Sequence, residues 1–159
     1  MMVPQLNTIF QNAYVTNDVE QAAALFKDRF ATGAFTIIDF EGVMRIGLAF
    51  AGRTMIELIQ PFTDPAGLYA HWIPAGTDFA VRHHHLGLLV DSKEELAAIR
   101  AAHVSAGTAV ATEGSLPGAL DFLYVDTSTQ LGHYLEYVRL DEGGRAMFAN
   151  VEGSIFTMS

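Results

Sequence analysis

The 159-residue chain contains no cysteine, so a disulfide framework, a zinc–thiolate site and a thiol nucleophile are all excluded. It is also poor in charge, above all positive charge. Charged residues make up 17%, and nine Lys and Arg stand against eighteen Asp and Glu, for a net charge of −9. A chain this short of basic residues lacks the footprint that a nucleic-acid backbone requires. The same deficit argues against docking on an anionic membrane surface. No apolar run reaches the roughly 18–20 residues that span a bilayer. The opening MMVPQLNTIF lacks the basic flank and apolar run of a secretion signal. A cytoplasmic protein with neither nucleic acid nor membrane as partner is expected. Hydrophobic residues, by contrast, are plentiful at 50%, which suits a compact core. At this length one domain covering 1–159 is the expectation.

The two halves of the chain run parallel, and internal repeats decide a fold before anything else does. Ile9 to Val15 and His84 to Val90 both read as strands. Each leads to a helix start: Asp18 has Gln21 three residues on, and Ser92 has Glu95 three residues on. Both are capping-box spacings, in which side chains and exposed amides satisfy one another. The first helix would bury Val19, Ala22, Ala23, Phe26 and Phe30, with Gly33 placed to end it. The second would bury Leu96, Ile99 and His103 and end at Gly107. Three strand-like segments follow each helix. They are Phe35–Phe40, Met44–Phe50 and Met55–Gln60 in the first half, then Thr108–Thr112, Phe122–Asp126 and His133–Arg139 in the second.

The expected architecture is therefore α+β, two βαβββ modules of about 8–60 and 83–140 joined by a linker over 61–82. Pro61, Pro65, Gly67, Pro74 and Gly76 punctuate that linker, and a second loop is expected over Glu113–Ala119. In the tail, 141–159, Arg145–Asn150 suits a short helix that either closes a site or packs outside.

Four polar residues occupy equivalent places in the repeat. Gln11 and His85 each lie seven residues before an N-cap, and Glu57 and Glu136 each interrupt the apolar last strand of a module. A lone strand glutamate is more often solvent-facing than functional, and a lone strand His or Gln is at least as often a satisfied polar residue. Recurrence in both modules is what lifts these four above that reading. Alternation places Met55, Glu57 and Ile59 on one side of their strand. A carboxylate buried among such neighbours costs several kcal/mol unless it is paired or ligates a metal. Alternation also puts His83 on the side of His85 and His84 on the other, so a change at His84 is expected to matter less.

In this order and spacing, Gln11–Asp18, Ile56–Pro61, His85–Val90 and Gly132–Glu136 resemble the vicinal oxygen chelate superfamily over about residues 8–140. That superfamily includes glyoxalase I, methylmalonyl-CoA epimerase, extradiol dioxygenases and the fosfomycin and bleomycin resistance proteins. The resemblance implies paired modules curled into a cup-shaped mixed sheet with the helices outside. It also implies one divalent ion per chain, held by Gln11, Glu57, His85 and Glu136. This ligand order is similar to that of glyoxalase I. The epimerase, dioxygenase and fosfomycin groups generally carry His where Gln11 stands, which sets them lower. A nitrogen-and-oxygen set suits Zn, Ni, Co or Mn, and no organic cofactor is needed.

The implied activity is a metal-dependent isomerase or lyase of the glyoxalase type. It would transfer a proton through an enediolate or enolate of a small carbonyl compound or thioester. Glu136, or Glu57 opposite it, would be the base. The alternatives are an epimerase of the same fold and a metal-free, drug-sequestering binding protein. Val15 stands where glutathione-binding relatives carry an arginine, and Arg82 is the nearest basic residue beside the second-module strand, so glutathione adducts are expected to be poor substrates. A homodimer is expected, since edge strands need covering and two-fold dimers are the commonest closed assembly.

Overall fold

The computed structural model describes residues 6–157. Half of the opening segment MMVPQLNTIF and the last two residues of the tail lie outside the described residues. Strand β1 (Ile9–Thr16) leads to helix α1 (Val19–Phe30) and strands β2 (Thr36–Phe40), β3 (Met44–Ala51) and β4 (Thr54–Pro61). After the linker the order repeats as β5 (Val81–Val90), α2 (Lys93–Ser105), β6 (Val110–Leu116), β7 (Leu120–Val125) and β8 (Tyr134–Leu140). A one-turn helix α3 (Ser128–Leu131) precedes β8, and α4 (Glu142–Ala149) follows it.

Both N-caps form where the spacing places them. Asp18 Oδ1 accepts from the Gln21 amide at 3.0 Å, and Ser92 Oγ from the Glu95 amide at 3.1 Å. The return contacts differ from a capping box. The Asp18 amide donates to Thr16 Oγ1, and the Glu95 carboxylate accepts from the Asp91 amide.

Helix α1 stops earlier than expected, on Ala31 in the left-handed region (φ 54°) rather than at Gly33. Gly33 instead donates its amide to Phe50 O at the end of β3. The early stop leaves Phe30 63% exposed, outside the core it was expected to join. At the end of α2, Gly107 does take the positive φ that closes a helix, and His103 reaches the Tyr137 hydroxyl at 2.9 Å. The expected loop over Glu113–Ala119 is mostly strand. Residues Glu113–Leu116 belong to β6, and the reversal is confined to Pro117–Ala119.

All eight strands form one mixed sheet in the order β2-β3-β4-β1-β5-β8-β7-β6. Each module pairs its first and last strands in parallel, and the modules join within the chain through antiparallel β1 and β5. On the convex side α1 packs on Ile56 and Leu58, while α2 packs on Leu88, Val90, Leu123 and Leu135. The concave side carries a third apolar cluster. Strand residues Ile46, Leu48, Met55, Ile59 and Val138 meet linker residues Leu68 and Tyr69 and tail residues Phe148, Val151 and Phe156. Of the two expectations for the tail, the structure shows the one that places it over the cup.

The β1–β5 seam contains two bulges, and they are repeat-equivalent. Pairing jumps from Ile9↔Leu88 to Gln11↔Gly87, leaving Phe10 extra, and from Ala13↔His85 to Tyr14↔His83, leaving His84 extra. A bulge turns the extra residue onto the face of its neighbour. Phe10 therefore shares the concave side with Gln11, and His84 with His85. This corrects the alternation reading of the three histidines. His84 packs among Tyr69, Trp72, Tyr124 and Tyr134, whereas His83 packs against Tyr14 and His133.

Candidate functional site

The four sequence candidates come together at the centre of the cup. Gln11 and His85 are buried, at 2% and 0% exposure, on the two seam strands. Glu57 faces inward from β4, level with Ala13, and Glu136 from β8, level with Gly87. His85 Nε2 lies 3.3 Å from Gln11 Oε1, 3.5 Å from Glu57 Oε1 and 3.4 Å from Glu136 Oε1. Gln11 Nε2 points away, to Met55 Sδ at 3.4 Å. The glycine opposite Gln11 makes room for that amide. A Cβ on Gly87 would lie 2.6 Å from Gln11 Oε1 and 2.9 Å from its Cβ, so a side chain there would push Gln11 out of place.

Burial governs the electrostatics. Desolvation, reinforced by the charge of Glu136, raises the Glu57 carboxyl to about 8 in the metal-free chain. Desolvation likewise raises Glu136 to about 7, against a lowering contact from the Tyr124 hydroxyl. The same burial lowers His85 to about 3, so its imidazole is neutral near pH 7. Two like-charged carboxyls aimed at one neutral imidazole nitrogen resist both being ionised without a cation between them. Each Glu side chain is 13% exposed, so the pair is nearly sealed.

Among the described residues no group of three or more His, Asp or Glu stands ready as a metal cage. The donor set nevertheless suits a divalent ion in kind, with one imidazole nitrogen, one amide oxygen and two carboxylates. It also suits one in spacing, since donors at 2.0–2.1 Å from a tetrahedral ion lie about 3.3 Å from one another.

Three residues at the site are not among the sequence candidates. Tyr69 comes from the linker, and its hydroxyl is held above its ordinary range by burial and by the charges of Glu57 and Glu136. Tyr124 on β7 packs edge-on to His85 at 5.0 Å, with its hydroxyl on Glu136. His84 reaches the Leu68 carbonyl with Nε2 at 2.9 Å. Tyr124 was legible in principle, since alternation puts it beside Phe122 on the inward face of β7. Tyr69 belongs to an irregular segment with no period to read.

Arg82 lies level with Val15 on the seam and is exposed, its guanidinium turned to the Val81 carbonyl. Val15 is 1% exposed and packed in the core.

No family model matches the chain, and no curated protein matches it in sequence. Solved structures do match in fold. A methylmalonyl-CoA epimerase from Mycobacterium tuberculosis aligns over 87% of this chain and 92% of its own, with a TM-score of 0.62 and 15% identity. A Glu-to-Gln variant of the Streptomyces coelicolor methylmalonyl-CoA epimerase, in complex with 2-nitronate-propionyl-CoA, aligns over 85% and 98%, with a TM-score of 0.63 and 14% identity. A hypothetical protein from Bacillus halodurans aligns over 85% and 95%, with a TM-score of 0.61 and 13% identity. At this identity the likeness is one of fold: the chain has the curled, eight-stranded mixed sheet with outer helices of the glyoxalase-like architecture.

Proposed function

We propose that the chain is an epimerase-type enzyme, moving a proton on the carbon beside a carbonyl group with Glu57 and Glu136 as the exchanging acid and base. The observation that carries this reading is the carboxyl pair. The two come from equivalent strands of opposite modules and approach the same imidazole nitrogen at 3.5 and 3.4 Å. Inversion at carbon needs a base on one side and an acid on the other, and the two inward carboxyls come from opposite modules. The ionised carboxylate takes the α-proton as the C–H electron pair moves toward the carbonyl. The protonated partner then delivers a proton to the opposite face, and the reverse reaction exchanges their roles.

Gln11, Glu57, His85 and Glu136 would hold a divalent ion, which supplies Lewis acidity to the substrate oxygens. Tyr69 and Trp72 from the linker and Phe148 and Phe156 from the tail cover the concave side. By excluding water they strengthen every charge interaction beneath them. Fold neighbours named as methylmalonyl-CoA epimerases support epimerase chemistry on a small carbonyl compound or thioester. Gln11 still departs from their usual first ligand, so the support extends to epimerase chemistry rather than to that substrate. A homodimer completes the proposal. Among the described residues β2 and β6 each end the sheet with one side unpaired, and light scattering at micromolar concentration would show a strict monomer if it were wrong.

The test is deuterium exchange in D2O, followed by NMR, on one enantiomer of an α-substituted acyl thioester such as methylmalonyl-CoA. Exchange with inversion, lost in Glu57→Gln and in Glu136→Gln, is the expected result. Exchange without inversion, dependent on Glu136 alone, would favour the glyoxalase-type reading, as would robust turnover of the methylglyoxal–glutathione adduct. No exchange with any of these substrates would move the sequestering reading ahead.

A further inference from the structure

His84 and His85 are adjacent, lie on the same side of the sheet because of the second bulge, and are both 0% exposed. Their Nδ1 atoms are 2.8 Å apart. At its other end His84 Nε2 lies 2.9 Å from the Leu68 carbonyl oxygen. A carbonyl oxygen only accepts, so the proton in that contact belongs to His84 Nε2. A neutral imidazole carries one N–H, which leaves His84 Nδ1 as an acceptor. The hydrogen between the two Nδ1 atoms is therefore on His85. With Nδ1 protonated, neutral His85 turns a bare Nε2 lone pair toward Gln11 Oε1, Glu57 Oε1 and Glu136 Oε1. Four electron-rich atoms then face one another, an arrangement relieved by a proton on a carboxyl or by a cation. An imidazolium at His84 would bury a full charge among Tyr69, Trp72 and Tyr134, where its ring nitrogens meet His85 and the Leu68 carbonyl and, among the described residues, no carboxylate. An imidazolium at His85 would keep the same Nδ1 proton and add one on Nε2.

We propose that His84 is a positioning residue for this site: pinned by the Leu68 carbonyl, it holds His85 in the tautomer that presents Nε2 to a divalent cation. The Leu68 carbonyl is itself aimed by Asp64, whose carboxylate accepts from the amides of Leu68 at 2.7 Å, Tyr69 at 3.1 Å and Ala70 at 3.0 Å. A turn in the linker, outside both modules, thereby decides which nitrogen of His85 is free. The relay runs from Asp64 through the turn to Leu68, His84 and His85. Ligating histidines usually donate their other ring N–H to an oriented acceptor, and losing that acceptor lowers metal affinity. Here the acceptor is a second histidine. The proposal rests on the reading of the four converging side chains as a cation site.

Long-range 1H–15N correlation on metal-free, 15N-labelled protein at alkaline pH reads the tautomers directly. His84 protonated on Nε2 and His85 on Nδ1 is the expected result, and a proton on His85 Nε2 overturns the relay. Titration with Zn2+ and Co2+ alone reads its consequence. His84→Phe fills the space but accepts nothing, and should weaken both ions by about 10- to 100-fold. His84→Asn keeps an acceptor near the Nδ1 position, and should retain more affinity and the native His85 tautomer, which a merely space-filling role would not require. Unchanged affinity in His84→Phe overturns the proposal. If that variant does not fold, His84→Asn and the native tautomer decide it. A native chain that takes up neither ion would overturn the cation reading of the cup, while the tautomer measurement still judges the relay separately.

Discussion

The two modules share a backbone and spend it differently. In the first, the bulge before the inward polar residue presents Phe10; in the second, the equivalent bulge presents His84. Phe10 meets the tail, with ring centroids 6.0 Å from Phe148 and 5.8 Å from Phe156. His84 meets the linker, through Leu68, Tyr69 and Trp72. One irregularity, used twice, thus fastens two different covers over the same cup. The neighbours follow suit: Met55 in module one corresponds to Tyr134 in module two, and Ala13 to Gly87. Symmetry holds for the carboxylates and breaks around them.

The largest effect expected from breaking this comparison is on stability. Phe10→Ala removes the ring on which the tail is seated, and phenylalanine truncation in a core costs about 3–5 kcal/mol. Denaturant unfolding should show that loss, and limited proteolysis should open the tail first. A loss below about 1 kcal/mol, at the level of a surface change, would detach the first bulge from this role.

Next come the two carboxylates. Glu57→Gln and Glu136→Gln should each lower solvent exchange at the substrate α-carbon by about 10² or more, the scale of general-base loss. Near-equal losses mean the symmetry is functional. A loss confined to Glu136 means the modules have divided the labour.

The pH dependence of the metal-free chain sharpens the same point. Glu57 and Glu136 have raised pKa values when folded, so they favour folding below the ordinary carboxyl value near 4.5. That contribution is lost as pH rises through about 7 and 8. His84 and His85 shift the other way, from 6.5 to about 3 in the fold. Their contribution is present above about 6.5 and fades toward pH 3. Urea unfolding should therefore show stability rising on leaving acid and falling again on the alkaline side. Saturating Zn2+ should abolish the alkaline fall, because a bound cation favours both ionised carboxylates. A flat profile between pH 5 and 9 in the metal-free chain would show that the pair is not buried as described.

The smallest effects should fall where the modules are most alike. Asp18→Ala and Ser92→Ala each remove one N-cap contact, worth about 1 kcal/mol, and thermal unfolding should place the two within error of each other.

Much of this is legible in the sequence. Asp18 and Ser92 announce the helices, and the recurrence of Gln11 with His85 and of Glu57 with Glu136 brings four side chains to one place. The bulges were not readable. A bulge exists only relative to the partner strand, and nothing in His83-His84-His85 by itself says which residue is left unpaired. Simple alternation therefore placed His84 on the wrong side. The tail allowed two positions because Arg145–Asn150 shows an apolar face without showing its partner, which is Phe10, far away in sequence. Phe30 failed for a local reason: the helix turned left-handed at Ala31 before its last ring could come back to the sheet.

The seam between β1 and β5 lies inside one chain. A cup assembled from two identical half-length chains would receive every substitution twice, once on each side of its axis. Here each substitution arrives once. A phenylalanine and a histidine can thus occupy mirrored places, and either half can acquire a new cover, a new ligand or a new fault while the other is left unaltered.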